Sequence, residues 1–453
     1  MYPNPQDALP LPPRPSLEQY RKLAKDLVKR CRSGNPAAIQ DWALRWIQGL
    51  AALQESPTAL GSDREIQSAA GQVSGFAQKK LSGSDRSASC ALTDAQFVLA
   101  RAHGFLSWPK FVTQIESLAS ESSPASLFEA AASAIVAGDS VALERLLHEH
   151  PDLIHMRSLR EHRATLLHYV SANGVEGYRQ LSPKNIAGTA ERLLAAGAEV
   201  EAEADVYGGR CTALGLVATS TPPLIAGVQR GVIDVLLAHG ARMDVPGIAG
   251  HRSSLIRGCL ANGQPDAAEY LVSRGAPLDL AAAAGLGRVD VLTGFFDTEG
   301  RRAQDLTPAV LKDAFSLACG YGRTAAAEFL LDHGVAADEE LSGHGEGHTG
   351  LHVAAFHGHV AAVEALLRRG ARIDAIDKTW GTPPLIWALT GWSRKRADAG
   401  GYHQVVARLV AAGAVVTPDL IESARVRADP VMLAALEGRL AASPQDGSDR
   451  TAG

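Results

Sequence analysis

The chain has 453 residues, a formal net charge of −5 and a hydrophobic content of 46%. A slightly acidic chain has no general attraction for nucleic acid, so such binding would need a local basic surface. An apolar run long enough to cross a membrane, about 18 residues, is absent from the sequence. The length and composition therefore favour a multidomain protein that does not span a membrane.

The N-terminal part is predicted to be helical after a short leader. Residues 1–15 are proline-rich, and we expect them to form an extended, solvated leader. Residues 16–125 are expected to form a small helical domain, with helices at 16–32 and 36–53. The Ser- and Gly-rich segment that follows is expected to be a partly disordered connector with a helix at 64–80.

A final helix pair at 93–102 and 108–117 completes this predicted domain. Ser107 suits an N-cap, and Pro109 suits the first helical turn, where its missing N–H costs nothing. The helix–glycine–helix outline also fits a DNA-binding motif. Its second helix offers only Lys110 as a cation, so nucleic-acid binding through this N-terminal segment is the alternative function, weakly supported by a basic face at 21–32.

The rest of the chain is dominated by a recurring phrase. An apolar pair followed by glycine appears six times, as in LLAAGAEV at 193–200 and LLRRGARI at 366–373. A second glycine often lies eight residues before the pair, as Gly358 lies before Leu366. This spacing predicts repeated units of two helices, a tight glycine turn and an outgoing loop.

Residues 348–377, HTGLHVAAFHGHVAAVEALLRRGARIDAID, resemble an ankyrin repeat. They depart from the family pattern at Gly350, where ankyrin repeats carry proline. The resemblance implies an all-α, ankyrin-repeat α-solenoid of about eight repeats at 126–437, preceded by the helical domain and followed by a disordered tail at 438–453. The helix pair at 93–117 resembles a leader found ahead of bacterial ankyrin arrays. Insertions interrupt the period; we call those at 177–188 and 390–402 the first and second insertions, and a further one is expected at 220–228.

The ankyrin resemblance implies that a protein partner is bound by the projecting loops and by the exposed ends of the first helices. The positions that correspond to helix ends are Asn173, Asn262, Tyr321, Phe356, His357 and Trp392. The loop candidates are Glu346, His348, Lys378 and Trp380. The aromatic members could form a binding stripe, or Phe356, Trp380 and Trp392 could only pack against the second insertion. The sequence leaves these two interpretations open.

A histidine cluster raises the question of a metal site. It comprises His344, His348, His352, His357 and His359. The ankyrin resemblance assigns His352 and His359 to structural hydrogen bonds, and no cysteine pair lies nearby, so we expect no metal or cofactor. Since the sequence also lacks a G-x-S-x-G motif and a phosphate-binding glycine loop, we expect a binding protein rather than an enzyme.

The cysteines and the N-terminus bear on the compartment. Five scattered cysteines without a CxxC pair favour reduced thiols, with Cys259 and Cys319 in the core. The N-terminus lacks the charged start and apolar core of a secretory signal. We therefore predict a cytoplasmic, monomeric protein whose partner is another protein.

Overall fold

The computed structural model describes residues 4–53, 60–81, 90–244, 254–296, 306–341, 346–394 and 399–440. Of the described residues 63% are in helices and 3% in strands, which confirms the predicted all-α class. It divides into two compact units, Met1–Ala276 and Pro277–Gly453. Within the described ranges, no helix combines the length and apolarity that a bilayer crossing requires.

The first unit begins with five helices around a shared apolar core. They are α1 (Leu17–Arg32), α2 (Pro36–Ala52), α3 (Asp63–Leu81), α4 (Leu92–Ala102) and α5 (Trp108–Ser117). The Ser16 hydroxyl accepts from the Gln19 N–H and so caps α1, and Asn35 caps α2 in the same way through Ala37. The helix expected inside the connector exists as α3 and packs on α2. The parts of the connector at 54–59 and 82–89 lie outside the described residues.

The leader is not the solvated tail that the sequence suggested. Leu9 is only 4% exposed, and its N–H donates to the Ala102 carbonyl at 2.8 Å. Its own carbonyl lies 3.0 Å from Nδ1 of His103. Burial lowers the pKa of His103 to about 3, so the ring is neutral and donates from Nδ1. The leader is bound because an apolar side chain and both backbone groups of Leu9 find partners inside the helical domain.

The prediction of five reduced cysteines is wrong for two of them. Cys31, at the end of α1, forms a disulfide with Cys90, with 5.7 Å between the α-carbons. A disulfide joins segments that are 59 residues apart in sequence, a relation that spacing alone does not reveal. Cys211, Cys259 and Cys319 are free and buried, and the latter two occupy the core positions expected for them.

The repeat part of the first unit continues with shorter helices. They are α6 (Pro124–Ala137), α7 (Ser140–Glu149), α8 (Leu166–Tyr169), α9 (Ile186–Ala195), α10 (Ala213–Ala218), α11 (Thr221–Ile225), α12 (Gln229–Ala238), α13 (Leu255–Ala261) and α14 (Pro265–Ser273). Short 3₁₀ turns occur at Pro5–Asp7, Pro151–His155 and Gly177–Arg179. Strands β1 (Glu203–Val206) and β2 (Gly209–Thr212) form one antiparallel hairpin with Ala204 opposite Cys211.

The first insertion packs inward through charged side chains that we call the ion cluster: Glu129, Arg160, Glu176 and Arg179. Arg160 Nη1 lies 2.6 Å from Glu129 and 2.7 Å from Glu176, and Arg179 Nη1 lies 2.6 Å from the other Glu129 oxygen. The Glu176 side chain is 0% exposed. Burial would raise the pKa of Glu176, but the two guanidinium charges outweigh it and hold the pKa well below its ordinary value. The cluster therefore remains ionised in the interior.

The second unit contains the remaining helices. They are α15 (Leu280–Leu286), α16 (Val289–Leu292), α17 (Pro308–Gly320), α18 (Thr324–Asp332), α19 (Gly350–His357), α20 (Val360–Arg368), α21 (Pro384–Arg394), α22 (Ala399–Ala411), α23 (Pro418–Glu422), α24 (Ala424–Arg427) and α25 (Pro430–Leu436), with a 3₁₀ turn at Thr293–Phe295. Gly358 ends α19 with a φ of 75°, as the repeat register predicted. Leu366, eight residues later, is fully buried. Of the tail predicted at 438–453, residues 441–453 lie outside the described part.

Candidate functional site

The candidate site is built on the start of α19. The Thr349 hydroxyl lies 3.0 Å from Nδ1 of His352, and the Thr349 N–H donates to the same nitrogen at 3.1 Å. Since Nδ1 accepts, Nε2 carries the proton and donates to the Thr382 carbonyl at 3.2 Å. Thr382 belongs to the next repeat, so His352 joins two repeats as the ankyrin resemblance implied. His359 forms a second such link, with Nε2 2.8 Å from the Gly320 carbonyl.

The departure from proline at Gly350 has a steric reason. A Cβ at this position would lie 2.8 Å from the Phe315 ring and 2.9 Å from Sγ of Cys319. Both neighbours are fully buried and have no free space to move into. Glycine therefore allows α19 to approach α17 more closely than the family's usual residue would.

Asp377 organises the loop between α20 and α21. Its carboxylate is 1% exposed and accepts five hydrogen bonds, from the N–H groups of Thr379, Trp380 and Thr382, the Thr382 hydroxyl and the indole of Trp387. Burial would raise the pKa of Asp377, but these donors lower it far below its ordinary value. The loop conformation is thus fixed by one carboxylate.

Trp387 is held in place on several sides. Its Nε1 donates to Asp377 at 3.2 Å, and its ring stacks on His348 with centroids 5.5 Å apart. His352 meets the ring edge-on at 5.3 Å. The indole is therefore oriented before any ligand arrives, which reduces the entropy that binding would cost.

An aromatic groove lies between α19 and α21. It has a volume of about 740 Å³ and is lined by Val353, Phe356, His357, Thr379, Trp380, Thr382, Ile386, Trp387, Thr390 and Arg394. Trp380 and Trp387 meet edge to face at 5.4 Å, and Trp387 meets Phe356 in the same manner at 6.0 Å. Trp380 is 61% exposed. Phe356 is half-buried and Trp387 is only 7% exposed, so most of the accessible ring area comes from Trp380. A partly open aromatic surface of this kind is suited to binding an apolar group.

Close contact between α19 and α21 holds one wall of the groove. A Cβ at Gly391 would clash with the Phe356 carbonyl oxygen, so a larger residue would push the helices apart. The Tyr402 hydroxyl donates to the same oxygen at 3.1 Å. Phe356 is thereby fixed through its backbone while its ring remains at the groove surface. Arg394 lies above that ring, with Cζ 5.6 Å from the centroid.

Five of the sequence-derived candidates lie in or beside this groove. Phe356, His357 and Trp380 line it directly. Lys378 lies next to Trp380 on the same loop, with its N–H donating to the Glu346 carbonyl at 2.8 Å and its ammonium 2.5 Å from Glu340. Glu346 is exposed at the loop end, where its N–H donates to the Thr379 hydroxyl. The structure therefore brings Glu346 and Lys378 to the edge of the groove rather than to its floor.

Two candidates are not at the surface. His348 is 1% exposed and lies beneath Trp387 rather than on an accessible loop. Trp392 is 8% exposed and belongs to the apolar core of the second unit. Of the two interpretations left open for the tryptophans, packing describes Trp392, while Trp380 remains available to a ligand.

The other candidates lie apart from the groove. The Asn173 side chain donates to the Leu216 carbonyl and accepts from the Tyr207 hydroxyl, so its polar groups are used within the first unit. Asn262 is exposed at the end of α13, and its amide donates to the Gly258 carbonyl. Tyr321 is half-buried at the end of α17. These three residues are not lining residues of the groove.

The sequence candidates missed Trp387 and Ile386, and did not include Arg394. A signal was present, because Trp387, Thr390 and Arg394 follow one another at spacings of three and four along α21. Such spacing places side chains on one helical face. What the spacing did not reveal is that this face, rather than the one carrying Trp392, is turned toward the groove.

A protein-family model matches a part of the chain that ends beside the groove. Residues 278–377 match the model for ankyrin repeats in three copies. This segment consists of ankyrin repeats. Two solved structures are similar: the human ASB11 ankyrin repeat domain (20% identity, 59% of this chain and 97% of that chain, TM-score 0.31) and the ankyrin repeat domain of Bcl-3, described as a unique member of the IκB family (18%, 59%, 98%, TM-score 0.29). A search of curated proteins gave no match.

Ankyrin repeats are in general protein–protein interaction modules. The groove joins the last matched ankyrin repeat, which supplies Phe356 and His357, to the helix pair that follows it. Among the described residues, no group of histidine, cysteine and acidic side chains is arranged to hold a metal ion. His344, a member of the histidine cluster, lies outside those residues.

Proposed function

We propose that the chain binds another protein through the aromatic groove of its ankyrin repeats and the adjoining loops. The observation that carries this proposal is the exposure of Trp380 beside the fixed rings of Trp387 and Phe356. Tryptophan residues in such positions supply much of the binding energy at protein interfaces. Because Asp377 already orders the loop, little conformational entropy is lost when a partner binds.

The groove supports binding rather than catalysis. Its lining residues include one imidazole, that of His357, but no carboxylate, and the carboxylate next to the groove, Asp377, is saturated by five donors. A general acid or base must reach the reacting proton, which a carboxylate with this arrangement does not do. We therefore propose a non-enzymatic scaffold.

Protein capture tests the proposed function. Full-length wild-type protein, Trp380→Ala and the matched control Val415→Ala would be immobilised and exposed to a lysate of the source cells. Val415 is 75% exposed in the same unit and is not a lining residue of the groove. We expect a protein that is retained by wild type and by Val415→Ala but lost with Trp380→Ala, since removal of the indole removes the main contact area. Equal retention by all three proteins would show that the groove is not the binding site.

Nucleic-acid binding by the N-terminal helices is the second candidate. The basic face of α1 is interrupted by ion pairs, Lys22 with Glu18 at 2.8 Å and Arg30 with Asp26 at 3.5 Å. The aromatic Phe111 of α5 is fully buried in the helical core. Both observations favour a solvated face for α1 and a packing role for α5 over binding in a DNA groove. Duplex DNA that bound the full chain, with affinity falling steeply as salt increases, would instead support this candidate.

A cytoplasmic location and a monomeric state stay predictions. The pairing of Cys31 with Cys90 removes the argument from reduced thiols, because stable disulfides are typical of oxidising compartments. Fractionation of the source cells would place the protein, and sedimentation of the purified chain would give its oligomeric state.

A further inference from the structure

Arg394 is the permanently charged side chain among the lining residues of the aromatic groove. Arg394 is exposed, and in the described residues its contact is the face of Phe356 rather than a carboxylate. Three other exposed arginines of this unit are paired across repeats: Arg368 with Glu328 at 3.1 Å, Arg369 with Asp332 at 2.6 Å and Arg372 with Asp338 at 3.3 Å. A guanidinium stacked on a ring keeps its donor edge free to bind a carboxylate in a bidentate manner.

The threonines of the groove offer little polar recognition. The Thr382 hydroxyl donates to Asp377, and the Thr390 hydroxyl donates to the Ile386 carbonyl at 2.7 Å. The Thr379 hydroxyl accepts from the Glu346 N–H at 2.7 Å. The hydroxyl protons of Thr382 and Thr390 are thus used inside the protein, whereas the Thr379 hydroxyl acts as an acceptor. Charge recognition inside the groove is therefore concentrated at Arg394.

A cationic ligand is disfavoured in spite of the aromatic rings. Aromatic rings bind a cation best when a carboxylate beside them can pair with it. Asp377, the carboxylate next to this groove, is 1% exposed and its oxygens already accept hydrogen bonds. Arg394 would repel a second cation above Phe356. At the loop edge of the site Glu346 is exposed, the ammonium of Lys378 is already paired with Glu340, and neither Glu346 nor Lys378 is a lining residue. The groove thus has a positive end at Arg394 and a negative group beyond Trp380.

We propose that the aromatic groove binds a peptide segment in which a large apolar side chain lies beside an aspartate or glutamate. The apolar side chain packs on Trp380 and Trp387, and the carboxylate pairs with Arg394. This inference rests on the proposed function and specifies its partner. The charge distribution also gives a direction, with the partner's carboxylate at the Arg394 end and away from Glu346.

A random peptide library tests the inference without a known partner. Dodecamer peptides displayed on phage would be selected on the immobilised full chain, and the enriched sequences determined. Each leading peptide would be synthesised with fluorescein, together with an analogue in which the acidic residue is changed to its amide. Binding would be measured by fluorescence anisotropy to wild type, Trp380→Ala and Arg394→Glu.

Two variants serve as matched controls. Arg425→Glu makes the same charge change at an exposed arginine of the second unit that is not a lining residue of the groove. Val415→Ala removes an exposed apolar side chain outside the groove. Circular dichroism and urea unfolding of each variant would establish that the fold is retained.

We expect enriched peptides to carry an acidic residue within two positions of a leucine, phenylalanine or similar side chain. The amide analogue and Arg394→Glu should each weaken binding by about tenfold or more, the effect of losing one charged hydrogen bond. A lysine in place of the acidic residue should restore binding to Arg394→Glu. Arg425→Glu and Val415→Ala should bind as wild type does.

Different failures separate the inference from the proposed function. Peptides that need Trp380 but tolerate the amide, or that prefer lysine, would overturn the charge assignment and leave the groove as a protein-binding site. Peptides that ignore both Trp380 and Arg394 would overturn both. The absence of any enriched peptide, or binding of a twelve-nucleotide oligothymidine that is lost with Trp380→Ala, would overturn the peptide assignment.

Discussion

The repeats that begin at Thr165 and at Thr349 share an inner framework but use the ends of their first helices differently. In each, threonine and a histidine three residues later form the same reciprocal cap. His168 Nε2 lies 3.3 Å from the Cys211 carbonyl, as His352 Nε2 lies 3.2 Å from that of Thr382. Burial lowers the pKa of both histidines, so each acts as a neutral hydrogen-bonding group between successive repeats.

Beyond the shared cap the two repeats diverge. After α8, the insertion brings Glu176 and Arg179 back into the protein, and a Cβ at Gly177 would lie 2.5 Å from the Gln6 carbonyl of the leader. The chain thus covers this helix end with its own residues. After α19, Gly358 turns the chain at once into α20, and the space beside Phe356 remains open. The first repeat is covered at this helix end, whereas the second leaves an open aromatic groove.

The comparison shows that the two repeats share a few capped positions, while insertions decide what is accessible. Buried charges such as those of the ion cluster are tolerated only when every one is paired, so they fix a single arrangement of the first insertion. The aromatic groove is organised differently, because one carboxylate orders its loop and leaves the rings partly exposed. The following experiments test this contrast.

Acid should have the largest effect on stability, because it protonates both carboxylates of the ion cluster. The pKa of Glu129 and that of Glu176 are lowered in the folded state, where the charges of Arg160 and Arg179 outweigh the effect of burial. Their stabilisation is therefore present above the ordinary glutamate pKa of 4.5 and is lost as pH falls below it toward the folded-state values. Urea unfolding between pH 7 and pH 3 would measure this loss. Glu176→Gln should show a shallower dependence, because one titrating group is already gone; an unchanged slope would contradict the assignment.

Replacing one carboxylate of the ion cluster tests the same junction at neutral pH. Glu176→Gln should lower the free energy of unfolding by about 3–5 kcal/mol, because it leaves buried guanidinium charge uncompensated. The control is Glu144→Gln, which breaks the exposed pair with Arg192 at 2.6 Å and should cost under about 1 kcal/mol. Similar losses in the two variants would mean that burial does not distinguish the pairs.

Truncation of two tryptophans in the second unit should lower stability by very different amounts. Trp392→Ala removes a core side chain and should destabilise the protein by about 3–5 kcal/mol. Trp380→Ala removes a side chain that is 61% exposed and should change stability by about 0.5 kcal/mol or less. Chemical denaturation of both variants would make the comparison; equal costs would show that Trp380 is a packing residue.

A smaller effect is expected at the carboxylate that orders the groove. Asp377→Asn should cost about 1.5–3 kcal/mol, because the amide places an N–H group among donors and loses charged hydrogen bonds. Asp374→Asn, an exposed neighbour, is the matched control and should be near neutral. Thermal unfolding with near-ultraviolet circular dichroism of the tryptophans would report both stability and groove order. A wild-type spectrum for Asp377→Asn would show that this carboxylate does not position Trp387.

The repeat framework was largely predictable, and the site was predictable in part. Gly358 and Leu366 have the conformation and burial that their spacing indicated, because helix geometry relates positions a few residues apart. Phe356, His357 and Trp380 were identified through the ankyrin resemblance and line the groove. His348 and Trp392 were chosen from their positions within the repeat, yet both are buried. A position within the repeat places a residue on a helix or a loop, but it does not determine how the next repeat packs against it.

The sequence by itself determined the helix pairs, their glycine turns and the histidine links, because these depend on contacts among neighbouring residues or on a motif repeated at constant spacing. Only the tertiary structure decided that Leu9 is buried, that Cys31 meets Cys90 and that Asp377 binds the indole of Trp387. The physical reason is distance along the chain. How whole elements pack decides the contacts between residues that are far apart in sequence or separated by an insertion of irregular length. Local periodicity in the sequence does not specify that packing.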